Sequence, residues 1–181
     1  MYEVELKVRA DHEAVRDRLA ERSVERVGAV RQVDTYYGAP HRDFGETDEA
    51  LRVRRETQEG GDPRHELTYK GPKVDADSKT RQEHETGVDD PDAVDAALQA
   101  LGFDPVATVE KDRERYRIGE YAVALDAVDG LGTFVEVERA AAENEIEAVR
   151  EGAADLLADL GLDPGAGIRT SYLGLLLADP E

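Results

Sequence analysis

The segment Glu3-Val4-Glu5-Leu6-Lys7-Val8 alternates charge with aliphatic at every step. Only an extended strand turns a period of two into two chemically distinct faces, one carrying Glu3, Glu5 and Lys7 and the other Val4, Leu6 and Val8. The arrangement recurs. Leu51 and Val53 oppose Arg52 and Arg54, and Leu67 and Tyr69 oppose Glu66, Thr68 and Lys70. Tyr121, Val123 and Leu125 oppose Ala122, Ala124 and Asp126, while Val135 and Val137 oppose Phe134, Glu136 and Glu138. Arg81, Glu83 and Glu85 share a face, as do Lys111 and Arg113, although their strands are polar on both sides.

Helices pack on apolar surface, so the charged faces must look away from them. In an open sheet that direction is solvent; in a closed sheet it is the interior. Enclosed ions cost several kcal/mol each unless they are paired or hydrated. A salt-bridge network would account for them, but apolar residues would fill a purely structural core at lower cost. A hydrated tunnel for a polyphosphate with a divalent metal accounts for them better. Cationic forks hold phosphoryl oxygens, and carboxylate oxygens suit magnesium or manganese.

Elsewhere the sequence excludes more than it assigns. The absence of cysteine removes disulfide and thiolate chemistry. His12, His41, His65 and His84 show no zinc spacing, and Ser23, Ser78 and Ser171 stand in no nucleophile elbow. No apolar run is long enough to span a bilayer, and the chain opens directly on strand pattern, so no signal peptide is expected. A net charge of -19, with arginine outnumbering lysine 18 to 5, repels nucleic acid and anionic membranes. Such a surface suits a salt-rich cytosol, where screening relieves self-repulsion; the expectation is a cytoplasmic protein of a halophile.

At 181 residues the expectation is a single domain over 1–181. Asp11 caps a helix running to about Arg26, with Val15, Leu19 and Val27 buried and Gly28 ending it. Strands are predicted at 29–38, 50–58, 65–71 and 80–88, with a loop at 39–49 and a mobile polar loop at 72–79. Asp90-Pro91 opens a helix with the stripe Val94, Leu98 and Leu101. Strands at 105–118, 120–128 and 133–140 precede a helix with Asn144 and Glu147 as capping pair. Its stripe, Ile146 to Leu160, reads as core, with a homodimer face left open. A short apolar helix at 171–178 closes the chain. Many antiparallel strands with a few helices give an α+β fold, most simply a barrel.

At these residues the chain resembles the CYTH superfamily, the triphosphate tunnel metalloenzymes. Glu3-x-Glu5-x-Lys7 matches the family's E-x-E-x-K signature. Gln32-x-Asp34-Thr35-Tyr36-Tyr37, Ala50-Leu51-Arg52-x-Arg54, Leu67-Thr68-Tyr69-Lys70-Gly71-Pro72, Arg81-x-Glu83-x-Glu85, Lys111-x-Arg113, Leu125-Asp126-x-Val128-x-Gly130-Leu131-Gly132 and Phe134-x-Glu136-x-Glu138 follow in order. Among subfamilies it is similar to class IV adenylate cyclases and their archaeal relatives, which share the closing Ser171-Tyr172-Leu173 helix.

The resemblance implies an eight-stranded antiparallel β-barrel with flanking helices, its lumen binding ATP or another triphosphate or polyphosphate. It implies that Lys7, Arg52, Arg54, Lys70, Arg81, Lys111 and Arg113 bind phosphate. Glu3, Glu5, Asp126, Glu136 and Glu138 would hold Mg2+ or Mn2+. Lys7, Lys111, Arg113, Asp126 and Glu136 form the implied catalytic set; Glu83 and Glu85 face the lumen in unassigned roles, and Arg115 is left as structural. The implied reaction is conversion of ATP to cAMP and pyrophosphate. The alternatives are hydrolysis of an inorganic, nucleoside or thiamine triphosphate, or binding of such a ligand without turnover. Outside that set, Tyr36 and Tyr37 are strand packing or a base platform. Lys73 and Lys79 flank a loop that could meet phosphate, and Arg169 could close a tunnel end.

Overall fold

Each alternating segment forms a strand, and pairing leaves the sheet without a long free edge. A computed structural model describes residues 1–178; the single-domain expectation extends over 179–181, which lie outside the described residues. The strands are Tyr2–Arg9 (β1), Arg26–Gly38 (β2), Ala50–Gln58 (β3), Arg64–Lys70 (β4), Arg81–Val88 (β5), Asp104–Ile118 (β6), Tyr121–Val128 (β7) and Gly132–Ala141 (β8). They close antiparallel in the order β1-β5-β4-β3-β2-β6-β7-β8. The expected eight-stranded barrel with flanking helices is thus the fold.

Helices His12–Glu21 (α1) and Ile146–Asp159 (α4) cover one side. Leu6, Val8, Val123, Leu125, Val135 and Val137 point outward to meet Val15, Leu19, Ala153, Leu156, Leu157 and Leu160. Each such burial contributes roughly 1.5–3 kcal/mol, which fixes the opposite, charged faces inward. Because the α4 stripe is consumed by this core, it does not offer a face to a second copy. Helix Tyr172–Leu177 (α5) packs at one end, with Tyr172 against Tyr36, Val109, Val128 and Phe134.

The seam between β1 and β5 is short, pairing only Tyr2 with Gln82 and Glu3 with Arg81. Beyond it the Lys79 amide donates to the Glu5 carbonyl at 3.1 Å, and the Ile168 amide to the Lys7 carbonyl at 2.7 Å. Irregular segments therefore complete the closure.

Several local expectations differ from the structure. The first helix stops at Glu21 and turns at Ser23, whose φ is +56°. Val27 is exposed, and Gly28 lies inside β2 at a register irregularity; pairing with β6 outweighs continued helix for this β-branched stretch. The 39–49 loop contains one helical turn, Phe44–Thr47 (α2), capped by Asp43. On Pro91–Ala100 (α3) no residue is fully buried, and Leu101 is exposed beyond its end. The capping pair before α4 is not Asn144 with Glu147: residues 143–145 form a 3-10 turn in which the Ala142 amide donates to the Glu145 carboxylate.

Candidate functional site

A cavity of about 1060 Å³ follows the barrel interior. Its lining includes Val106 and Arg115 of β6, nine residues apart, or about 30 Å at the rise of a strand. Glu3, Glu5, Arg52, Arg54, Lys70, Arg81, Glu83, Glu85, Lys111, Arg113, Glu136 and Glu138 all line it. Lys7 and Asp126 are buried beside them, 1% and 0% exposed. Alternation along each strand brings these residues in; on β1, β7 and β8 the opposite positions are held by α1 and α4, and barrel closure carries the same inward face round β3, β4 and β5.

The carboxylates fall into two groups. Glu3, Glu5 and Glu138 converge, each offering an oxygen within 4.8 Å of the others. Register explains the meeting, since Glu5 stands opposite Glu138 on β1 and β8, with Glu3 on the same face. Burial, then the charge of Glu138, pushes the Glu3 carboxyl up to about 11. This crowding of like charge is what a dication relieves, and an all-oxygen donor set fits magnesium or manganese. Asp126 and Glu136 fall outside that trio and are engaged by cations instead. Arg113 donates to both oxygens of Asp126 at 2.7 and 2.6 Å and to Glu136 at 2.6 Å. The Tyr172 hydroxyl adds a bond of 2.7 Å to Asp126, and Lys111 lies 3.6 Å away. Burial opposes their ionisation, but Arg113 and then Lys111 hold both carboxyls below their ordinary values. Of the five carboxylates that the resemblance assigns to metal, three meet and two serve Arg113.

The cations also divide. Arg54 is clasped by Asp34 through bonds of 2.6 and 2.7 Å, Lys70 pairs with Glu83, and Arg115 grips Glu56 at 3.0 and 2.7 Å. Arg81 reaches the Asp48 carbonyl at 3.2 Å. Arg52 is held loosely, 3.6 Å from Asp34 and 3.9 Å from Glu85. Its buried Nε has no hydrogen-bond partner among the described residues. Lys7 donates to the Thr170 carbonyl at 2.6 Å and sits 4.2 Å above the Tyr172 ring, with Lys111 4.8 Å from the same ring. Burial followed by the charge of Lys79 pushes Lys7 down to about 7; burial followed by Arg113 pushes Lys111 down to about 8. A polyanion would favour the charged form of both.

Sequence reasoning gave no role to Asp34 or Glu56, yet both anchor lumen arginines. The inward alternation of Gln32, Asp34 and Tyr36 was the available signal; the Gln32 side-chain amide in turn donates to Glu56 at 2.8 Å. Tyr172 lacked any strand period to expose it. Tyr37 gives its hydroxyl to Asp95 at 2.6 Å, tying β2 to α3. Arg169 binds the carbonyls of Asp75 and Ser78, so it fastens the 71–80 loop. Lys73 pairs with Asp48 at 3.2 Å, and Lys79 with Glu5 at 2.8 Å.

The CYTH domain family matches residues 1–172. A Methanocaldococcus jannaschii protein, provisionally named an adenylate cyclase, is 38% identical over 177 residues, covering 97% of this chain and 98% of its own. Among solved structures, a Pyrococcus horikoshii protein superposes with a TM-score of 0.90 at 40% identity, covering 97% of this chain and 98% of its own. A Vibrio parahaemolyticus protein, also provisionally described as an adenylate cyclase, gives 0.85 at 25% identity, covering 98% and 99%.

Proposed function

This chain belongs to the CYTH domain family, and on that premise we propose that it is a metal-dependent enzyme acting on a triphosphate in the barrel lumen, converting ATP to cAMP and pyrophosphate. The observation that carries the reading is the juxtaposition, in one cavity, of three convergent carboxylates with the loosely held Arg52 and the buried Lys111. The names of two relatives support the cyclase chemistry.

Glu3, Glu5 and Glu138 would hold Mg2+ or Mn2+, which when bound neutralises phosphate charge and polarises the reacting phosphorus. Arg52 has a buried donor to give a phosphoryl oxygen. Lys7 and Lys111 add charge on the side nearer Tyr172, while Arg54 and Arg113 stay on their carboxylates and brace the wall. With the triphosphate fixed, the ribose 3′ oxygen bonds to the α-phosphorus as the bond to the bridging oxygen breaks. Pyrophosphate carries away the electron pair, and the hydroxyl proton passes to solvent. Positioning and preorganised charge supply the acceleration.

One observation favours hydrolysis as a second reading. Polar groups along the cavity are overwhelmingly ionic, a chemistry that recognises a phosphate chain and metal rather than a base. Incubation with ATP and Mn2+ at high salt separates the readings. Cyclic AMP with equimolar pyrophosphate is the expected result; inorganic phosphate alone gives the reaction to a triphosphatase, and no product removes the enzyme reading.

A further inference from the structure

The loop joining β4 to β5, residues 71–80, sets a lysine directly on the carboxylate trio. Lys79 Nζ lies 2.8 Å from Glu5 Oε1, on a side chain only 11% exposed. Its backbone amide also donates to the Glu5 carbonyl, so main chain and side chain both dock on the same residue of β1. The loop is fastened from outside: Arg169 donates to the Asp75 carbonyl at 2.6 Å and the Ser78 carbonyl at 3.3 Å, and Arg150 reaches Asp77 at 2.9 Å. Lys79 is therefore held on Glu5 from both sides of the loop.

Glu5 cannot serve two cations equally. An ammonium at hydrogen-bond distance and a dication on the same trio repel each other, the more so where water is sparse. We propose that Lys79 and the divalent cation compete for Glu5, so that metal loading releases Lys79, whose freed ammonium then binds the phosphate chain. The inference rests on reading Glu3, Glu5 and Glu138 as the metal site. Exchange leaves no enclosed charge unpaired, because the dication takes over the carboxylates as the ammonium passes to phosphate. It also makes loading of metal and of triphosphate mutually supportive, since each offers a partner to what the other displaces.

The test measures two affinities of Lys79→Met against wild type. Mn2+ alone, followed by titration calorimetry, should bind the variant about tenfold more tightly, the scale of one partly enclosed ion pair removed from competition. Tripolyphosphate at saturating Mn2+ should bind it about tenfold more weakly. A lysine that merely braces the loop would weaken both. Unchanged or weaker Mn2+ binding by the variant overturns the competition while leaving the metal site in place; no Mn2+ binding by either protein removes the metal-site reading and this inference with it. Should Lys79→Met fail to fold, acetylation footprinting of the wild type decides. Mn2+ must accelerate labelling of Lys79, and an unchanged or slower rate overturns the proposal.

Discussion

Asp34 and Arg54 stand directly opposite each other on β2 and β3 and are clasped by two hydrogen bonds inside the lumen. Asp34 is 2% exposed and also faces Arg52. Burial works against its charge, but Arg54 and Arg52 hold its carboxyl below the ordinary value. A depressed acid contributes stability that is complete above its unfolded pKa and fades as pH falls through the folded one. Asp34→Asn should therefore cost about 3–5 kcal/mol near neutral pH, where it strands a buried guanidinium. The gap to wild type should narrow in acid. Urea unfolding of both proteins at neutral and at strongly acidic pH checks this; a gap independent of pH would detach it from the Asp34 charge.

Arg52 and Arg54 alternate on one strand yet differ in commitment, and substitution should separate them. Arg52→Ala should weaken tripolyphosphate binding by roughly 10–100-fold with little change in melting temperature, since its charge-assisted bonds await a ligand. Arg54→Ala should lower the melting temperature by removing both hydrogen bonds of Asp34 and leaving it only the looser contact with Arg52. Calorimetric titration beside thermal melts would show the reverse pattern if the assignments were exchanged.

Glu138→Gln should reduce Mn2+ affinity by at least about tenfold, having removed one of three anionic donors. Asp126→Asn should leave Mn2+ affinity little changed and instead lower stability, because its carboxylate holds Arg113 and Tyr172. Equal loss of Mn2+ binding in both variants would return Asp126 to the metal site.

Tyr172→Phe removes one hydroxyl and leaves the ring beneath Lys7 and Lys111. Loss of the hydrogen bond to ionised Asp126 should cost about 1.5–3 kcal/mol, read by chemical denaturation. A variant as stable as the wild type would show that the hydroxyl contributes nothing to holding α5.

The strands were legible because a period of two is written residue by residue. Once Leu125 and Val137 must face a helix, Asp126 and Glu136 point the other way, and closure of the sheet makes that direction the interior. The first helix was overextended at Val27, and the cap before α4 misplaced, because helix ends are decided by competition with sheet pairing that no local pattern records. Lys79 illustrates the same limit within the site: on a loop there is no alternation to aim a side chain.

What the sequence determined by itself was which residues share the charged face of each strand, since alternation and apolar faces are local properties. What the tertiary structure decided was pairing. Register across β1 and β8 gathers Glu3, Glu5 and Glu138, while register across β6 and β7 sets Asp126 against Arg113. Identical carboxylates thus gather with one another or clasp an arginine according to the strand opposite, because hydrogen-bonded ion pairs need contact distances that only the folded barrel defines.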